Sequence, residues 1–124
     1  MGANIGEVIH WNIRGIRDKH NANYAKKVDI ISQILYGPKI FQILNLQETH
    51  ICSDINIPKA WLHYNSKYTL VPSHASRNDR FGGIVVFVNK NFEIIETHQI
   101  IQGGVLHIRA KNSLSSKTLN IFSI

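Results

Sequence analysis

The chain has 124 residues, 44% of them hydrophobic and 18% charged, which fits one globular domain and excludes a disordered tail. Fourteen Lys and Arg against eight Asp and Glu give a net charge of +6, which favours polyanionic partners but does not alone establish nucleic-acid binding. A single cysteine, Cys52, excludes an internal disulfide and a cysteine-rich zinc site. Without a signal peptide or a membrane-spanning apolar run, we expect an intracellular protein, nuclear or cytoplasmic, with no membrane partner.

The first third of the sequence alternates between strand and helix patterns. A short apolar run predicts a buried strand over residues 7–13. Apolar residues at intervals of three and four predict an amphipathic helix over residues 23–36, which Gly37 ends. Another apolar run predicts a strand over residues 40–46. The order strand, helix, strand predicts that the two strands are parallel neighbours.

The rest of the sequence is richer in β patterns. We expect one helical turn at residues 60–62, a strand at 68–71 and a polar loop at 73–80. Four short β-rich runs then predict antiparallel hairpins. These runs are residues 84–88, 92–96, 105–109 and 119–124. Because the last run reaches the final residue, we expect the domain to be truncated within a core strand.

Two polar residues stand where the first two predicted strands end. Asn12 lies at the end of the first strand, and Glu48 follows the second. If these strands are parallel neighbours, both side chains emerge at the carboxyl edge of the sheet, where α/β proteins bind ligands. A carboxylate beside an amide oxygen is a reasonable start for a Mg²⁺ site. The alternative is that Asn12 only forms a turn and that Glu48 is solvated, and the spacing alone does not exclude it.

Three sequence blocks carry a resemblance to a known family. They are WNIRG at residues 11–15, LNLQETH at residues 44–50 and FGGIVVFV at residues 81–88. In this order the blocks resemble those of the endonuclease/exonuclease/phosphatase superfamily, which includes DNase I-like nucleases and apurinic endonucleases. Because His50 follows Gln-Glu-Thr, the second block resembles that of one branch of the superfamily, the LINE-type non-LTR retrotransposon endonucleases.

The resemblance implies a fold and a chemistry. It implies an α/β fold that is part of a four-layer sandwich of the DNase I-like type, with residues 1–124 as the N-terminal portion. The implied activity is Mg²⁺-dependent cleavage of DNA, as in target-site nicking by retrotransposons, with Mn²⁺ as a possible substitute. Glu48 is then a ligand of the catalytic metal, and Asn12 helps to organise the metal and the scissile phosphate.

The family pattern continues with a Tyr, an Asp/Asn pair and an Asp-His pair that have no counterpart in this chain. We therefore expect the chain not to cleave nucleic acid unaided. Arg14, Arg77 and Arg80 are candidates for contact with the phosphate backbone, and the alternative for each is an ordinary surface residue. Trp11, together with Trp61 and Tyr68, fits the core better than base stacking.

Two alternatives to a retrotransposon endonuclease stay open at this point, as does the question of whether the chain needs a partner. The parent could be an apurinic repair nuclease or a phosphoesterase of the same superfamily. The chain could also be a degenerate, nuclease-like structural subunit of a ribonucleoprotein or another complex. Finally, a second chain could complete the fold and the active site.

Overall fold

The computed structural model of the protein describes residues 7–16, 23–62, 67–76 and 82–124. In these segments the chain forms a mixed α/β structure with two sheets and few helices. The elements in order are β1 (Glu7–Asn12), α1 (Tyr24–Tyr36), β2 (Phe41–Gln47), a 3₁₀ turn (Asp54–Asn56), α2 (Lys59–Leu62), β3 (Tyr68–Ser73), β4 (Ile84–Asn89), β5 (Phe92–Ile101), β6 (Val105–Asn112) and β7 (Thr118–Ser123).

The first sheet has the strand order β1-β2-β4-β3. β1 and β2 are parallel neighbours, and Asn12 lies opposite Gln47 at the end of their ladder. This pairing confirms the parallel arrangement predicted from the strand, helix, strand order. β4 then pairs in the antiparallel sense with both β2 and β3.

The second sheet has the order β5-β6-β7, and both of its ladders are antiparallel. The predicted hairpins β5–β6 and β6–β7 are therefore confirmed. The expectation of a hairpin between β4 and β5 is wrong, since β4 belongs to the first sheet. The physical reason is burial: all six residues of β4 are buried, which requires cover on both faces. Most of β5, in contrast, is exposed.

Two apolar clusters hold the layers together. In the first, Ile31 and Leu35 of α1 and Trp61 of α2 pack with Leu44 and Phe87 of the first sheet. The second cluster lies between the sheets. It contains Ile43, Val71, Ile84, Val86 and Val88 from the first sheet, and Phe92, Leu106, Ile108, Ala110 and Ile121 from the second sheet and its edge. The first sheet is thus covered by helices on one face and by the second sheet on the other.

The predicted core is only partly correct. Trp61 and Tyr68 are buried, as expected, but Trp11 is half-buried and Val8 is 61% exposed. β1 is an edge strand of its sheet, so cover on its outer side is incomplete. The loop predicted at residues 73–80 begins after Ser73, which still belongs to β3, and its last four residues lie outside the described segments. Within those segments, no helix has the length and apolar character needed to cross a membrane.

Candidate metal centre

The candidate site lies at the carboxyl ends of β1 and β2. Since Asn12 is opposite Gln47, Glu48 follows one position beyond the last pair. Asn12 and Glu48 both line a small cavity of about 200 Å³. Its other lining residues are Gln47, Gly82, Ile84, Gly103, Gly104 and Ile124. The structure therefore brings together the two residues that the sequence analysis selected for the metal.

Backbone hydrogen bonds continue the parallel ladder beyond the ends of these strands. Ile13 donates to the carbonyl oxygen of Gln47 at 3.0 Å, and Gly15 donates to that of Glu48 at 2.7 Å. A third bond, from the N–H of Ile16 to the carbonyl oxygen of Thr49, measures 3.0 Å. The two sequence blocks are consequently held side by side by main-chain contacts.

Three non-glycine residues at this edge adopt left-handed backbone conformations. The φ angles are 53° at Arg14, 51° at Glu48 and 60° at His50. Such residues are uncommon, and each costs on the order of 1 kcal/mol or more, so they persist only where surrounding contacts require them. In the described segments the other non-glycine residue of this kind is Ser116, in the β6–β7 turn. Strain is therefore concentrated at the candidate site.

Asn12 makes a local turn. Its side-chain oxygen accepts a hydrogen bond from the backbone N–H of Arg14 at 3.2 Å, which is the arrangement of an Asx turn. This contact shows that the turn-forming alternative for Asn12 is real. It does not exclude a ligand role, because an amide oxygen has two lone pairs and the turn uses one.

Glu48 and Arg14 are the charged residues of this edge. Both are exposed, and the Glu48 carboxylate has no hydrogen bond or ion pair with the described part of the protein. An exposed carboxylate keeps its oxygens available to a cation and its waters. Arg77 and Arg80, the other predicted phosphate contacts, lie outside the described residues.

The glycine pair of the third sequence block fixes the neighbouring loop. Thr49 and His50 donate backbone hydrogen bonds to the carbonyl oxygens of Gly83 and Gly82, at 3.0 and 2.9 Å. Gly83 has a φ of 90°, and a Cβ there would lie 2.5 Å from the Thr49 hydroxyl oxygen. Gly83 in turn donates to the carbonyl oxygen of Gly103 at 2.8 Å. Glycine is thus required for the close approach of β4, the β5–β6 turn and the segment after Glu48.

Lys27 is a residue of this region that sequence reasoning missed. Its ammonium group, from the first turns of α1, donates to the carbonyl oxygens of Gly15 at 3.1 Å and Arg14 at 3.4 Å. The contact ties the helix to the strained turn after β1. One feature of the sequence points to a role for Lys27. It lies near the N-terminus of a helix, where the helix dipole disfavours a cation unless another contact compensates.

The donor chemistry of this edge fits part of a Mg²⁺ site. A carboxylate and an amide oxygen are hard donors, and Mg²⁺ commonly completes its six ligands with water and phosphate oxygens. Among the described residues, no group of three or more His, Cys, Asp or Glu side chains is placed to hold a metal. Glu48 and Asn12 would therefore hold the cation jointly with substrate and solvent rather than in a closed protein cage.

A larger cavity, of about 520 Å³, lies away from Asn12 and Glu48. Its lining includes Asp54 and Lys90 together with largely apolar residues such as Leu62, Tyr68 and Leu70. None of its lining residues has the left-handed backbone found at Glu48, and volume alone does not identify a reactive site. We therefore place the candidate chemistry at the smaller cavity.

Comparisons with known proteins do not assign a family to the chain. No protein-family model matches the chain, and no curated protein matches its sequence. The carboxyl edge of β1 and β2 and the resemblance of the three sequence blocks are therefore the features that bear on function.

Proposed function

We propose that this chain is the N-terminal part of a Mg²⁺-dependent endonuclease that hydrolyses phosphodiester bonds in DNA. One observation carries the proposal: Asn12 and Glu48, 36 positions apart in the sequence, line one cavity at the carboxyl ends of two parallel strands. The strained backbone at Glu48 supports it, since strain of this kind concentrates at functional sites. The net charge of +6 favours a polyanionic substrate.

In the proposed mechanism, Glu48 and Asn12 would hold Mg²⁺ or Mn²⁺ through a carboxylate and an amide oxygen. When bound, the metal neutralises charge on the phosphate and stabilises the leaving oxygen. Arg14, exposed beside Asn12, is placed to donate to a phosphate oxygen of the substrate. No residue of this chain is assigned as the base that activates water, because the family's Asp-His pair has no counterpart here.

The proposal extends to the complete fold. Helices cover one face of the first sheet and the second sheet covers the other, which is compatible with half of a four-layer sandwich of the DNase I-like type. We propose target-site nicking in retrotransposition as the activity of the parent protein. DNA is then the main partner, and a second polypeptide segment supplies the remaining catalytic residues.

Binding of a fluorescent DNA duplex to the 124-residue chain tests this proposal. We expect anisotropy to show tighter binding with Mg²⁺ than with EDTA, because a cation held by Glu48 would neutralise the carboxylate charge that otherwise repels the DNA phosphates. The Glu48→Ala chain should lose this difference. Glu93→Ala, which removes another exposed carboxylate from the second sheet, should keep it. Equal binding by the wild-type chain with Mg²⁺ and with EDTA would contradict the proposal.

The same samples can be incubated with supercoiled plasmid. We expect at most weak nicking by the chain alone, for want of the downstream residues. Nicking that requires both Mg²⁺ and Glu48 would establish that a complete site assembles. Nicking that continues in EDTA or in the Glu48→Ala chain would come from another source and would not support the assignment.

A second candidate function is a structural, nuclease-like subunit of a ribonucleoprotein. The specific observation in its favour is the outer face of the second sheet, where His98, His107 and Phe122 form a row of stacked rings. Phe122 is 58% exposed, and Ile101 nearby is 60% exposed. Such a face suits contact with another macromolecule. This candidate predicts nucleic-acid binding that neither EDTA nor Glu48→Ala changes.

A further inference from the structure

We infer that His50 is a positioning residue for the proposed metal centre, acting through Gly15 on the backbone that carries Glu48. The inference rests on the proposed function and concerns a side chain that the proposed chemistry does not use. The contact that carries the inference is the packing of the half-buried His50 ring against the turn that follows β1.

The His50 ring occupies the space beside Gly15 that a side chain would fill. A Cβ built on Gly15 would lie 2.6 Å from Nδ1 of His50 and 3.1 Å from its Cε1. Both distances are below ordinary van der Waals contact, so no side chain fits between the Gly15 backbone and the imidazole. Gly15 has a φ of 88°, which glycine adopts readily and other residues rarely adopt.

Gly15 links this packing contact to Glu48. Its N–H donates to the carbonyl oxygen of Glu48 at 2.7 Å, while the N–H of His50 donates to the carbonyl oxygen of Gly82 at 2.9 Å. The backbone of His50 is therefore bonded to Gly82, next to β4, while its ring packs beside Gly15, which is bonded to Glu48. This arrangement fixes Asn12 and Glu48 relative to each other.

Removal of the ring should release the turn rather than unfold the sheet. Without a side chain, Gly15 has wide conformational freedom when nothing covers it. The strained φ of Glu48 then has less support, and its carboxylate samples positions farther from Asn12. A loss of ligand orientation of this kind typically weakens metal binding by about 10-fold or more.

A Mg²⁺ titration followed by amide NMR tests the inference on the full 124-residue chain. We expect His50→Ala to weaken Mg²⁺ binding about 10-fold, measured from the shifts of residues 12, 15 and 48. His50→Phe keeps a planar ring over Gly15 and should retain most of the affinity. His107→Ala is the matched control, since it removes another half-buried histidine, from β6 of the second sheet, and should leave affinity unchanged.

A double-variant comparison tests the transmission through Gly15. Gly15→Ala should weaken Mg²⁺ binding, because its Cβ collides with the His50 ring. In the His50→Ala background the same change should cost less affinity, since the collision is gone. Equal losses in both backgrounds would overturn a pathway through this contact.

The outcomes separate this inference from the proposed function. Wild-type Mg²⁺ affinity in the His50→Ala chain would overturn the inference alone. Absence of any Mg²⁺-dependent shift in the wild-type chain would overturn both. If His50→Ala lowers both the Mg²⁺ affinity and the melting temperature, the His50→Phe chain distinguishes positioning by the ring from a general loss of stability. Recovery of both supports positioning by the ring, and recovery of the melting temperature without affinity overturns it.

Discussion

The backbone N–H of Gly15 donates a 2.7 Å hydrogen bond to the carbonyl oxygen of Glu48. This bond joins a turn after the first strand to a turn after the second, although 33 positions separate the two residues in the sequence. Because both turns have positive φ angles, neither conformation is expected for the isolated peptide. The contact therefore depends on the parallel ladder that precedes it.

Relief of the strain at Glu48 should raise stability at the expense of cation binding. Glycine adopts the observed φ of 51° without steric cost, so Glu48→Gly should raise the free energy of unfolding by up to about 1 kcal/mol. The same variant should lose Mg²⁺ binding. Urea unfolding and a Mg²⁺ titration measure the two effects.

Ser116→Gly is the matched control for this variant. Ser116 has a φ of 59° in the β6–β7 turn, so glycine relieves a similar strain there. Stability should rise comparably, while Mg²⁺ binding stays at the wild-type level. A Glu48→Gly chain that is clearly less stable than wild type would show that the strain at Glu48 has been overestimated.

Gly83 should tolerate no side chain. A Cβ there would lie 2.5 Å from the Thr49 hydroxyl oxygen, at a φ of 90°. Gly83→Ala should therefore lower the free energy of unfolding by about 2–4 kcal/mol, measured by urea denaturation. Gly104→Ala should cost less, because its φ is not positive and its Cβ would lie 3.1 Å from the nearest atom, a methyl group of Ile101. Equal losses would refute this account of the glycine pair.

A buried polar pair links the two sheets near the candidate site. The Ser123 hydroxyl donates to the side-chain oxygen of Asn45 at 2.7 Å, and both residues are at most 3% exposed. Ser123→Ala leaves that oxygen without its donor, so we expect a loss of about 1–3 kcal/mol in the free energy of unfolding. Ser115→Ala, in an exposed turn, should change stability by less than about 0.5 kcal/mol. A loss no larger than that control would contradict the role of the pair.

Lys27 should stabilise the turn after β1. Its ammonium group donates to two main-chain oxygens, of Gly15 and Arg14. Lys27→Met keeps most of the apolar stem and should lower stability by about 1 kcal/mol, with faster hydrogen exchange at the Gly15 amide. Lys26→Met changes the neighbouring exposed lysine and is the control. Identical exchange at Gly15 in both variants would argue against the contact.

The sequence predicted those features that depend on local patterns. Periodicity placed α1 within one residue of its observed start, and the order of elements predicted the parallel pairing of β1 and β2. Because the paired strands are parallel, the sequence also predicted that Asn12 and Glu48 lie at the same carboxyl edge of the sheet. These two candidate residues could be predicted from the sequence because they lie at the ends of strands with clear apolar patterns.

Features that depend on long-range packing could not be predicted from the sequence. His50 packs beside Gly15, and Lys27 donates to the carbonyl oxygens of Gly15 and Arg14. Each contact joins distant segments through a single side chain, which leaves no periodic pattern in the sequence. The succession of short β-rich runs predicts a hairpin between β4 and β5, but β4, which is buried on both faces, lies in the first sheet. Similarly, no local pattern shows that β1 is an edge strand with Val8 exposed.

Paramagnetic broadening by Mn²⁺ tests the central claim most directly. Dilute Mn²⁺ added to the isotopically labelled chain should selectively broaden the amide resonances of residues 12 to 15 and 47 to 49, and Mg²⁺ should reverse the effect. Glu48→Ala should abolish the broadening, while Glu93→Ala should not. Broadening centred elsewhere, or unchanged in the Glu48→Ala chain, would contradict a metal centre at the carboxyl edge of β1 and β2.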